Sequence, residues 1–198
     1  MRHSIDKILI NILLLTSSGT ALAHPGHDVS SFATGLMHPF SGLDHLLAMV
    51  AIGLWAAQGN TKKRSERKIW LLPATFMTML VIGSVTALQW QSLPLIEAGL
   101  ATSVLALGLL IALSLQFPAA LSITVTGLFG LLHGYAHGLD VPLSASPTAC
   151  VLGLLAGTVA LHGSGITAGI VTRKRYTLLA KAVGVAIAAS GAWMLAGM

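Results

Sequence analysis

Apolar residues in this chain run in blocks too long and too continuous for the alternation of a soluble fold. Six stretches, near 37–57, 70–90, 95–115, 119–139, 147–171 and 178–197, carry scarcely a charge. Each has about the 20 residues that a helix needs to cross the hydrocarbon core of a bilayer. The pattern predicts an all-α integral membrane bundle of six transmembrane helices.

The stretch before them reads differently. Met1 to Lys7 is a short charged start, Ile8 to Leu15 a brief apolar core, and Ala21-Leu22-Ala23 a small-x-small cleavage site. That is the layout of a secretory leader, and the apolar run is too short for a span. Residues 1–23 are therefore expected to be a cleavable signal peptide and 24–198 the membrane domain. The mature chain would begin His24-Pro25-Gly26-His27-Asp28.

The polar breaks fix orientation. Lys62, Lys63, Arg64, Arg67 and Lys68 follow the first stretch, and Arg173, Lys174, Arg175 and Lys181 follow the fifth, while the alternate loops contain no Lys or Arg. Basic loops stay on the cytoplasmic side. An even number of spans then leaves both mature termini outside, on the periplasmic face of a bacterial inner membrane, which agrees with an exported leader.

Composition changes the picture only by exclusion. Hydrophobic residues make up 55% and charged ones 9%, with a mean hydropathy of +0.82, so the net charge of +5 reads as topology signal rather than a nucleic-acid surface. The lipid bilayer is the expected large partner. One cysteine, Cys150, rules out an intrachain disulfide and a thiolate-rich metal site. Small residues recur at four-residue spacing: Gly127, Gly130, Gly134 and Gly138 run near it in the fourth stretch, and Gly153 with Gly157 and Gly165 with Gly169 hold it in the fifth. Such spacing lets membrane helices approach closely. The run from Gly163 to Gly169 lacks the lysine and glycine spacing of a phosphate loop, so direct ATP use is not expected.

Against this apolar background two polar clusters stand out: His38-Pro39-Phe40-Ser41-Gly42-Leu43-Asp44-His45 and His133-Gly134-Tyr135-Ala136-His137-Gly138-Leu139-Asp140. Ionisable groups inside a membrane are costly and mark function. On a continuous first helix begun by Pro39, His38 and His45 lie seven residues apart on nearly one face, with Asp44 beside them. In the fourth helix His133 and His137 are an i, i+4 pair, and Asp140 is i+7 from the first. Both clusters fall in the outer half of the membrane, where four imidazoles and two carboxylates would converge on one cation. Nitrogen and oxygen donors without thiolate suit Ni(II), Co(II), Zn(II) or Cu(II) rather than Mg(II) or Ca(II).

Five other residues are weaker candidates. Glu97 opens the third span on the outer side, as a ligand or as part of an approach funnel. His162, in the fifth span, reads first as a packing or hydrogen-bonding residue. Met49, four residues after His45, offers a sulfur but is the type of residue that fills cores. His24 and His27 in the mature N-terminus could gather the ion first.

The two clusters carry a resemblance. The chain resembles the HupE/UreJ family of hydrogenase and urease accessory membrane proteins, regarded as nickel permeases. The family's H-x5-D-H motif is met by His38, Asp44 and His45, and its F-H-G-x-x-H-G-x-E motif falls on residues 132–140 with Leu132 for the aromatic and Asp140 for the glutamate. The resemblance implies import of nickel for a nickel enzyme such as hydrogenase or urease, with their maturation proteins downstream, and the donor set leaves cobalt or zinc as further candidate ions. It implies no catalysis by this chain and no resident cofactor. The competing class is a metal-dependent intramembrane hydrolase, with three histidines on zinc and an aspartate as base.

Overall fold

The computed structural model describes residues 31–59, 69–87, 89, 95–139, 146–175 and 177–198. The expected signal peptide, His24, His27, Asp140 and the basic run Lys62 to Lys68 lie outside these described residues. Within them every regular element is a helix: α1 Ser31–Ser41, α2 Leu43–Gln58, α3 Leu71–Ala87, α4 Ile96–Ala112, α5 Ala119–Leu139, α6 Pro147–Arg175 and α7 Thr177–Ala196.

Among the described residues, three stretches are long and apolar enough to cross a membrane by themselves: Ala119–Leu139, Thr148–Thr172 and Thr177–Ala196. Helices α3 and α4 are apolar but 17 residues each, at the short end of what a bilayer asks. Large apolar side chains face outward, among them Leu178, Val185 and Trp193 on α7, as a lipid-facing surface requires.

The first predicted span is not one continuous helix. It is divided into α1 and α2, which meet at an angle of 82°. Pro39 sits in the last turn of α1, not the first turn of a helix. There its missing N–H leaves a carbonyl one turn back without a donor. Ser41 Oγ donates to the His38 carbonyl at 2.6 Å, and Gly42 is extended at φ −100° and ψ 125°, so the chain turns there. Leu46 N then donates to the Gly42 carbonyl at 3.0 Å and starts α2. The seven-residue, one-face relation between His38 and His45, and the depth deduced from a straight helix, are therefore replaced by a corner.

Packing proceeds by pairs: α3 lies along α5, α4 along α7, and α6 against both α1 and α2. Glycine is what lets these backbones touch. A Cβ at Gly134 would overlap the Leu80 carbonyl, one at Gly165 the Val50 carbonyl, and one at Gly153 the Phe32 carbonyl. Gly127 is the exception in the predicted stripe, since its Cβ would meet only side chains, at ordinary distances of 3.5 and 3.6 Å. Cys150 is buried, and its carbonyl is where α6 closes on Gly35. The central core forms from α2 residues such as Ala48, Ile52 and Trp55 with Phe76, Leu80, Leu107 and Ile111.

Candidate metal centre

The corner at Gly42 aims two histidines at the last described turn of α5. His38 closes α1, His45 opens α2, and His137 is in the last turn of α5. Each offers a ligand atom, and these three atoms lie within 4.8 Å of one another. The His45 ring centroid is 4.1 Å from that of His137 and 5.2 Å from that of His133, and His38 is 4.8 Å from His137. Three of the four imidazoles expected to converge thus bring ligand atoms together, and the ring of the fourth, His133, lies beside that of His45.

That spacing fits a transition-metal cation. Bonds of about 2.1 Å put cis nitrogen ligands roughly 3.0–3.4 Å apart, so small ring rotations would close the cluster around an ion. Ring nitrogens of His133 and His137 are also unpartnered. His137 is 2% exposed, yet neither its Nδ1 nor its Nε2 has a hydrogen-bond partner among the described residues. His133 donates Nδ1–H to the Phe129 carbonyl at 2.9 Å, because a carbonyl only accepts, and its Nε2 is left unpartnered. A backbone carbonyl on one ring nitrogen, with the other free, is how metal-binding imidazoles are held in the right tautomer.

Asp44 acts on this cluster through His45. Its Oδ1 accepts from the His45 backbone N–H at 2.8 Å and lies 3.1 Å from His45 Nδ1, off the line of a proper hydrogen bond. The carboxylate is 27% exposed and faces a cavity of about 540 Å³ that also touches His38, His45, Glu97 and Met194. Glu97 thus shares a vestibule with the cluster, as an exposed residue in the first turn of α4. The vestibule opens where α4 begins and α7 finishes, so Lys181, early in α7, lies toward the opposite end of the bundle.

The remaining candidates separate from the cluster. Met49 is buried in the core, and the polar group it contributes is its backbone carbonyl, which accepts from His162 Nδ1 at 2.7 Å. His162 is fully buried on α6 and ties that helix to α2 by this hydrogen bond.

Two residues of this region escaped the sequence reading. Gly42 stood inside a quoted motif, but a serine–glycine pair in an apolar block looks like ordinary close packing. Phe76, whose ring centroid is 5.5 Å from that of His133, gives no signal in the sequence, because an aromatic at helical spacing is usually core. Gly42 has a measurable role: a Cβ there would stand 2.8 Å from Asp44 Oδ1 and 3.5 Å from His45 Cγ. Gly42→Ala is therefore expected to displace the carboxylate and lower the affinity for a divalent transition-metal ion about tenfold, the usual cost of losing an outer-sphere partner. Because the clash is with the end of a flexible side chain, the melting temperature should shift by less than about 2 °C. Calorimetric titration and a thermal melt check both, and unchanged affinity would remove Asp44 from the account.

With the geometry described, the chain can be set beside known proteins. The family model described as HupE / UreJ protein matches residues 12–194. The chain belongs to the HupE / UreJ family. Protein HupE of Rhizobium leguminosarum bv. viciae is 37% identical over 198 residues, the full length of both chains. No solved structure matches. The histidine corner at Gly42 is thus part of a chain that follows a HupE / UreJ relative from end to end.

Proposed function

We propose that this HupE / UreJ protein is a permease that carries nickel inward across the bacterial inner membrane, with cobalt and zinc as the nearest competing ions. One observation carries the reading: His137 holds two unpartnered ring nitrogens at 2% exposure, beside His38 and His45. A buried donor or acceptor without a partner costs about 1–3 kcal/mol, and a cation is the partner that would satisfy several imidazoles together.

In this reading the short helices α3 and α4 and the bent pair α1–α2 each cross the membrane, which makes six spans after a leader removed at Ala23. Both mature termini lie outside. A hydrated ion enters the vestibule past Glu97 and Asp44. It then exchanges waters for His38, His45, His133 and His137, with Asp140 supplying a further carboxylate from beyond α5. Ligands that exchange readily keep the ion moving. The chain needs no resident cofactor and catalyses no reaction, and the ion is passed to the proteins that mature hydrogenase or urease.

A second reading has its own support, since three clustered imidazoles are also the ligand set of a catalytic zinc. Asp44, however, is turned toward His45 rather than left free as a base. Radioactive nickel uptake into proteoliposomes tests the two together, with cobalt and zinc as competitors and His133→Ala/His137→Ala as the control. The permease predicts uptake that the variant abolishes. No uptake by folded, metal-binding protein would overturn it, and zinc-dependent peptide cleavage in the same vesicles would install the hydrolase.

A further inference from the structure

His162 is set apart from the outer cluster in sequence, on a different helix, and yet one side chain connects them. The Phe76 ring centroid is 5.5 Å from that of His133 and 5.3 Å from that of His162, the latter at 89° between planes. All three side chains are fully buried. His162 Nδ1 faces the Met49 carbonyl at 2.7 Å. A carbonyl cannot donate, so the proton is on Nδ1 and Nε2 carries the lone pair. That Nε2 has neither a hydrogen-bond partner nor solvent, the same state as Nε2 of His133. A histidine needed only to tie α6 to α2 would use its Nδ1–H and have no use for a desolvated lone pair.

We propose that His162 is an inner resting position for the transported cation and that Phe76 is the gate between it and the outer histidine cluster. The inference rests on the transport reading above. One imidazole with a few waters binds weakly, which suits a transient stop. An aromatic face tolerates a passing cation better than an aliphatic plug does. His162 lies ten residues before Thr172, the last residue of its apolar stretch, so roughly 15 Å of helix remains between it and that end. The ion would therefore have left the outer half of the bundle when it reaches this nitrogen.

Transport and binding separate the possibilities. His162→Gln keeps an amide to donate to the Met49 carbonyl but removes the imidazole. It is expected to leave nickel binding by the purified protein within twofold and to reduce the initial rate of nickel uptake into proteoliposomes at least tenfold. His162→Cys, made together with Cys150→Ala, places a soft thiolate at the stop. Cadmium should then inhibit uptake at a concentration at least tenfold lower than in Cys150→Ala alone. Ser164→Cys, two residues on and exposed, should show no such gain.

A merely structural His162 would not confer cadmium sensitivity at that position, so the thiol arm decides the matter even if the glutamine variant fails to fold. Uptake by His162→Gln at the unaltered rate, or no gain in cadmium sensitivity, overturns the inner stop and leaves the permease standing. Absence of uptake by the unaltered protein overturns both.

Discussion

His137→Leu is expected to abolish nickel binding and, at the same time, to raise the melting temperature. The two effects have one cause. His137 is buried with both ring nitrogens unpartnered, and a leucine of similar size would replace a desolvated polar ring by a side chain suited to its surroundings. Relief of one unsatisfied group is worth about 1 kcal/mol or more, or roughly 2–4 °C for a chain of this length. Binding loses a central ligand, so affinity should fall by more than the roughly 10–100-fold that a lost outer-sphere partner costs. Calorimetric titration with nickel and a thermal melt of the metal-free protein measure both. A melting temperature that drops would mean that the imidazole is structural, and retained binding would mean that the ion sits elsewhere. Functional groups held at the expense of stability commonly behave this way.

The second large effect concerns glycine, and it discriminates between two positions that look alike in sequence. Gly134→Ala should lower the melting temperature and eliminate uptake, whereas Gly127→Ala should be neutral or slightly stabilising. At Gly134 the added methyl would run into the Leu80 carbonyl, with Leu80 C and Cα at 2.6 Å. Backbone cannot swing aside as a side chain can, so α3 and α5 must separate. Overpacking of this kind costs about 1–3 kcal/mol and occasionally more, so a loss near 3 kcal/mol is about 6–12 °C. His133 and His137 flank Gly134, and the same displacement moves them away from Phe76 and His45. At Gly127 the methyl finds normal contacts, and alanine for glycine inside a helix gains about 0.5–1 kcal/mol. Parallel thermal melts decide the matter: equal responses at the two positions would mean that the α3–α5 crossing is looser than described.

These contrasts show which parts of the molecule the sequence disclosed. Hydropathy revealed the helices, because lipid and core make the same demand for apolar side chains. The i, i+4 spacing of His133 and His137 placed them on one face, and there they are. The corner between α1 and α2 was not legible, because a twenty-residue apolar window averages over a single extended glycine, and Pro39 suits a helix start as well as a helix end. His38 and His45 do meet the other histidines, but through an 82° turn rather than along one helical face. Contacts between distant segments, such as Phe76 with His133 and His162, leave no periodicity at all. The glycine stripe was half legible: spacing identified the right helix but could not tell Gly127 from Gly134, since the difference lies in the partner.

The corner between α1 and α2 also decides which helix ends lie beside the histidine cluster. His38 is in the last turn of α1 and His137 in the last turn of α5, while α2 presents its first turn, with Asp44 there. Aligned peptide dipoles give a helix roughly half a negative charge at its C-terminal end and half a positive one at its N-terminal end. Two carbonyl ends therefore lie beside the cluster, and the amide ends of α2 and α4 each carry a carboxylate, Asp44 and Glu97, that offsets them. A straight first span would have offered no chain end there. The backbone itself thus favours positive charge at this spot, and no side-chain substitution in the cluster would remove that preference.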